Sequence, residues 1–155
     1  MRAWAGALLQ VWLKAPQCLM TWVCPGLLTI MPGQRGASQA YLASFCAAVV
    51  RNEIDTYSTK FDACVNIVSK GGLIPIEFAE HYVDEKLMSP KKGAPVLVHL
   101  NRFSGWSAKL TISYIEGGAY SLEQIVNIIN LAGFGIGIGS GRSSGYGRYH
   151  VQSIE

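Results

Sequence analysis

Two groups of residues in this chain carry side chains suited to chemistry. The first is the run from Gly133 to Tyr149, where Gly135, Gly137, Gly139, Gly141, Gly145 and Gly147 recur. Toward its end these glycines are interleaved with Arg142, Ser143, Ser144, Tyr146, Arg148 and Tyr149. Each glycine costs a helix about 1 kcal/mol relative to alanine, so the run is a loop. Fixing a loop costs about 1–2 kcal/mol of backbone entropy per residue. A chain that keeps one uses its close backbone approach or its access to positive φ. Cations, hydroxyls, aromatic faces and bare amides together suit a ligand made of phosphates and bases. The second group is His81 beside Glu80 and Asp84, which has the composition of acid–base equipment. On a segment this polar such a histidine is ordinary surface, and no catalytic residue is assigned.

Two familiar phosphate loops are excluded by spacing. A P-loop needs G-x-x-x-x-G-K-[ST], and the run has no lysine. A dinucleotide fingerprint needs G-x-G-x-x-G between a strand and the following helix, and here the order is reversed. Residues 121–132 predict a helix, with Ser121 as cap, Gln124 at the capping-box position and Gly133 as the terminating residue. Leu122, Ile125, Val126, Ile129 and Ala132 give it one apolar face. Residues 149–154 predict a closing strand. The order is helix, glycine-rich loop, strand.

The same reading extends upstream. Ser38–Val50 predicts a helix with Tyr41, Leu42, Phe45, Cys46, Val49 and Val50 on its apolar side. Asp62–Ser69 predicts a strand, and Pro75 restricts Leu73–Phe78 to an edge or a loop. Residues 79–94 are the most polar stretch and read as a surface excursion ending in the basic turn Lys91-Lys92-Gly93. Pro95–Phe103 and Trp106–Ile115 predict a hairpin turning at Ser104-Gly105. In the second strand Trp106, Ala108, Leu110, Ile112 and Tyr114 alternate with Ser107, Lys109, Thr111 and Ser113, so one face is core and the other wet. Lys109, Thr111 and Ser113, with Asn101 or Arg102 and the loop's Arg142 and Arg148, would form one basic, hydroxyl-lined surface on which Tyr146 and Tyr149 stack bases.

Ile138-Gly-Ser-Gly-Arg-Ser-Ser-Gly-Tyr-Gly-Arg-Tyr149 resembles the glycine-rich loop of the CRISPR-associated RNA-binding superfamily of repeat-associated proteins (RAMP). In that loop small residues and an arginine lead into G-x-G and a basic or aromatic residue. The resemblance lies mainly in residues 105–155. It implies an α+β, ferredoxin-like β-α-β-β-α-β sandwich with an antiparallel sheet and the loop before the last strand. It further implies a cytoplasmic, non-catalytic subunit that binds RNA or another single-stranded nucleic acid and works in a homo- or hetero-oligomer. Its contacts would be Gly137, Gly139, Gly141, Arg142, Ser143, Ser144, Gly145, Tyr146, Gly147, Arg148, Tyr149 and Lys109. No cofactor or metal is expected. This chain departs from the family in its first strand, which is not recognisable. Two alternatives stay open: an assembly protein of a virus or mobile element using the run as an inter-subunit arm, and an RNA endonuclease using His81, His99 or His150.

Composition bounds these readings. The chain has 155 residues, half of them hydrophobic and 15% charged, with a net charge of +3. That is one domain by size, too apolar for general disorder, and basic enough only for a local polyanion contact. No acidic residue precedes Glu53. Residues 1–26 read as an apolar extension before a single domain over 27–155, whose first strand is expected near Leu27–Met31. Arg2 and the apolar stretch Ala3–Leu13 resemble the start of a signal peptide but lack a small-x-small cleavage site. Lys14, Pro16 and Pro25 interrupt the length a membrane span needs. Cys18, Cys24, Cys46 and Cys64 form no C-x-x-C pair and read as free thiols.

Overall fold

The computed structural model describes residues 6–20, 37–72, 74–89, 91–139, 142 and 145–155. Within them it is an α+β protein with an open antiparallel sheet and three helices. In chain order the elements are β1 (Gly6–Met20), α1 (Ala37–Arg51), α2 (Thr59–Cys64), β2 (Val65–Val68), β3 (Ile76–Glu77), β4 (Glu80–Met88), β5 (Val96–Ile115), α3 (Leu122–Gly135) and β6 (His150–Ile154).

The sheet is built on β5. Along one edge β5 pairs with β1, from Gly6↔Ile115 to Met20↔Asn101. Along the other it pairs in series with β2, β3 and β4. β6 closes the far side of β1, with a register shift between Trp12 and Leu13. The path is β2-β5-β1-β6, and each of these pairings is antiparallel. Side chains alternate across a strand, so β1 sends Leu9, Val11 and Leu13 into the core and leaves Lys14 exposed on the other face. β5 does the same with Trp106, Ala108, Leu110 and Ile112, all essentially inaccessible. Helices α1 and α3 cover this face through Tyr41, Phe45, Ala48 and Val49, and through Ile125, Ile128, Ile129 and Ala132.

The expected hairpin at Ser104-Gly105 is replaced by one continuous strand. Gly105 lies in the left-handed region (φ 60°), which absorbs a local twist without ending the ladder. The pairing with β1 keeps its register across it, from Ala15↔Trp106 to Gln17↔Ser104, and Phe103 is buried against Phe78 and His81. The hairpin is instead β4–β5, so the expected surface excursion over 79–94 is largely a strand. Its polarity has a physical reason. β4 pairs with the half of β5 that extends past the helices, and its described side chains are exposed. Asp62–Ser69 divides between the end of α2, whose Phe61 enters the core, and β2. Residues 74–78 contribute the two-residue edge strand β3, as Pro75 requires.

The first strand described is Gly6–Met20, inside the stretch read as an extension; the expected strand at 27–31 lies outside the described residues. No helix among the described residues is long and apolar enough to cross a membrane. Because β1 is bonded on both edges, deleting residues 1–26 is expected to abolish cooperative urea unfolding followed by circular dichroism. A shortened chain with a wild-type transition would show β1 to be dispensable.

Candidate nucleic-acid interface

The capping box of α3 forms as its sequence requires: the Gln124 N–H donates to Ser121 Oγ, and the Ser121 N–H donates to Gln124 Oε1. The helix runs two residues past Gly133. It ends where the N–H groups of Ile136 and Gly137 both donate to the Ala132 carbonyl, at 2.9 and 2.8 Å, with Gly137 at φ 73°. Gly133 is not the terminator because its lack of a side chain serves another purpose. A Cβ there would lie 2.0 Å from the Tyr149 carbonyl oxygen, and the Tyr149 N–H donates to the Gly133 carbonyl at 3.2 Å.

The loop is folded back on itself. The Ile138 N–H donates to the Gly147 carbonyl at 3.0 Å, and a Cβ on Gly147 (φ 76°) would sit 1.7 Å from the Ile138 oxygen. Ile138 is buried and plugs the base of the loop. Beneath it Ser44 of α1, also buried, donates from its hydroxyl to the Gly137 carbonyl at 3.0 Å. The same hydroxyl lies 3.1 Å from the Tyr149 phenol oxygen. Tyr149 is therefore a core residue, edge-on to Tyr41, and not the exposed base-stacking ring expected. Burial pushes its phenol well above the ordinary tyrosine range.

The residues expected to bind nucleic acid thus separate into groups. Gly137 and Gly147 are buried and serve the loop's own folding. Gly139 is half-buried, and Arg142, Gly145 and Arg148 are exposed. Gly141, Ser143 and Ser144 lie outside the described residues. The Arg148 guanidinium sits 5.9 Å from the centre of the Phe134 ring, which is 77% exposed. Tyr146 is half-buried, and its hydroxyl accepts a hydrogen bond from Arg102 Nη2 of β5 at 2.5 Å. Arg102 Nη1 donates to Tyr82 of β4 at 2.8 Å. Its guanidinium carbon lies 5.4 Å from the Tyr82 ring centre and 5.0 Å from that of Tyr146. Loop and ribbon meet at this Tyr82–Arg102–Tyr146 cluster.

Lys109 does not join them. It alternates with buried Ala108 and Leu110 and so faces the side of the sheet away from the helices. There it sits 5.4 Å from the Trp12 ring centre and 3.5 Å from a Glu155 carboxylate oxygen. A shallow depression of about 540 Å³ lies on the same face, lined by Trp12, Lys14, Glu77, Phe78, Gly105, Ser107, Gln152 and Ser153. The single basic surface expected from sequence is two surfaces.

His81 and His150 are far apart as well. His81 stacks on Phe103 with ring centres 4.7 Å apart. His150 lies on β6, across β1 and β5 from β4, so at about 4.8 Å per strand the two backbones are at least about 14 Å apart. Among the described residues no group of three or more His, Cys, Asp or Glu side chains stands together. Sequence reasoning missed Ser44, Tyr82 and Phe134. Ser44 had a signal, a lone hydroxyl among the apolar positions of α1. Tyr82 was hidden by reading β4 as a loop.

No family model and no curated protein sequence matches the chain. Among solved structures it is similar to a chain of the Type III-B Cmr-beta structure, determined by cryo-EM with cognate target RNA bound. Identity is 16% and the TM-score 0.56, over 97% of this chain and 60% of that one. The chain therefore spans about 60% of its neighbour's length. At this identity the likeness is one of fold.

The close backbone approaches make a graded test. Gly147→Ala should lower stability by about 3 kcal/mol, combining a disfavoured positive φ with an overlap on Ile138. Gly135→Ala, which meets open space, should leave it unchanged or raise it by up to about 0.5 kcal/mol. Urea midpoints measure both. Equal midpoints would show that the loop does not fold back as described.

Proposed function

We propose that this chain is a non-catalytic module that binds single-stranded RNA along the rim formed by the glycine-rich loop and the β4–β5 ribbon. The observation that carries the reading is the exposure of Arg142 and Arg148 on a loop whose base is fastened in the core and whose Tyr146 is bonded to the ribbon. Cations on a fixed support can meet successive phosphates without first being ordered. The ring of Tyr146 and the 42% exposed ring of Tyr82 offer faces for bases, each stack contributing about 1–3 kcal/mol.

The architecture supports this reading. The path β6-β1-β5-β2 with α1 and α3 on one face is the order that a ferredoxin-like β-α-β-β-α-β sandwich would give, with β3 and β4 added along β5, and it supports that fold as part of the proposal. The solved neighbour is a chain of a complex that holds RNA. Together with the loop's resemblance, that makes a subunit of a related ribonucleoprotein the assembly in which this module would work. An inter-subunit arm is less well supported, because both ends of the loop are tied to their own core. An endonuclease lacks support from the dispersed His81 and His150.

Binding of a labelled single-stranded RNA, measured across salt concentrations, tests the proposal. Wild type should bind with log-linear salt dependence. Arg142→Ala/Arg148→Ala should weaken binding and flatten the slope by about 0.7 for each phosphate that is no longer neutralised. No binding by wild type at low salt, or an unchanged slope in the double variant, would overturn it.

A further inference from the structure

We infer that Arg102 is a positioning residue that locks the tip of the glycine-rich loop to the β4–β5 ribbon, so that RNA meets one prearranged surface. The inference rests on the RNA-binding reading above for its consequence, but its geometry stands alone.

Arg102 joins side chains from three elements. Its two terminal nitrogens donate to Tyr82 and Tyr146, which are 20 and 44 residues away in sequence, while its guanidinium lies against both rings. Only a planar fork can do this, since a lysine ammonium is a compact point charge that cannot span two hydroxyls while lying against two rings. The strand beneath is itself held. Tyr82 and Arg102 are direct cross-strand partners, as are their neighbours His81 and Phe103. Successive side chains take opposite faces, so the His81–Phe103 stack, with Phe103 buried, pins the ribbon from the side opposite to Arg102. The loop's base is fixed independently by Ser44, Gly133 and Gly147. Arg102 adds the second anchor, and Arg142, Gly145 and Tyr146 are carried between the two.

This arrangement assigns Arg102 a different role from Arg142 and Arg148. They are exposed and meet phosphate; Arg102 is half-buried and directs its donors to phenols. The difference can be measured. Arg102→Lys keeps the charge and loses the fork, and Tyr146→Phe keeps the stacking ring and loses the acceptor. Each should raise amide hydrogen exchange at Gly145–Arg148 in the free protein. Each should weaken single-stranded RNA binding about tenfold, as expected for a hydrogen bond to a charged group, with no change in salt slope. Combined, they should again cost about tenfold and not a hundredfold, because both break the same link.

Unchanged exchange at the loop tip in both variants would overturn the lock, whether or not the protein binds RNA. Absence of RNA binding by wild type, with exchange raised in the variants, would keep the lock and refute the RNA reading. Full additivity, or a slope flattened by about 0.7 in Arg102→Ala, would overturn the positioning role and make Arg102 a direct phosphate ligand. Tyr82→Phe, which removes one acceptor from the opposite side, repeats the exchange test should Arg102→Lys fail to fold.

Discussion

Backbone pairing along β5 is the constraint on which the rest of the structure depends. A 20-residue strand is longer than the helices can cover, so it has two lives. From Trp106 to Ile112 its alternate side chains are the floor of the core. From Val96 to Ser104 it forms a ribbon with β4 on one edge and the end of β1 on the other. Gly105 lies at the joint with a positive φ, and the register with β1 runs through it unchanged. The ribbon is thereby a rigid continuation of the folded core, not a separate loop. That continuity is why Arg102, out on the ribbon, can serve as a fixed point for a loop arising from the helical layer.

The glycines of the loop follow from the same geometry. Their density signals close backbone approach, and for Gly133, Gly137 and Gly147 the backbone approached is the chain's own. A loop folded double needs two strands of backbone nearer than any Cβ permits. Ser44 completes it by bonding a carbonyl and a phenol in the core, where a polar group left without a partner costs about 1–3 kcal/mol. Among the described residues of the loop, Arg142, Gly145 and Arg148 reach solvent. Glycine-richness here builds order, at positions where a side chain would prevent it.

Local signals made part of this readable from residues alone. The Ser121/Gln124 box marked the start of α3, the apolar spacing of α1 marked its buried side, and the alternation from Trp106 to Tyr114 marked the covered half of β5. The misreadings share one cause: a strand reveals itself by burial contrast. β4 stands outside the core, so Glu80, Glu85 and Tyr82 carry no alternation of hydropathy. β1 does have the contrast, in Leu9, Val11 and Leu13 against Gln10, Trp12 and Lys14, but Trp12 and the flanking apolar residues blur it into a hydrophobic run. Ser104-Gly105 has turn chemistry and no turn, because the pairing of β5 with β1 continues through it. The site followed suit. Its arginines were legible as types, whereas the separation of Lys109 from them depends on which face each strand presents.

Connectivity does not explain the loop. The backbones of Gly133 and Tyr149 are hydrogen-bonded to each other, so residues 134–148 span no distance at all. A turn of a few residues would join α3 to β6. Lengthening a loop adds little closure entropy, but holding the added residues in one conformation costs about 1–2 kcal/mol for each. The fold offsets that cost with devices a passive connection would not need: Ile138 inserted as a plug, Ser44 placed beneath it, and a guanidinium set between two phenols. Those devices tie the base of the loop to the core and Tyr146 to the ribbon. Lys109, by contrast, faces Glu155 and stands over Trp12 on the far side of the sheet. Fastening the two ends of a long connection to the core and to the ribbon is more than joining α3 to β6 requires, and it fits the proposed role of the loop as a support for exposed cations.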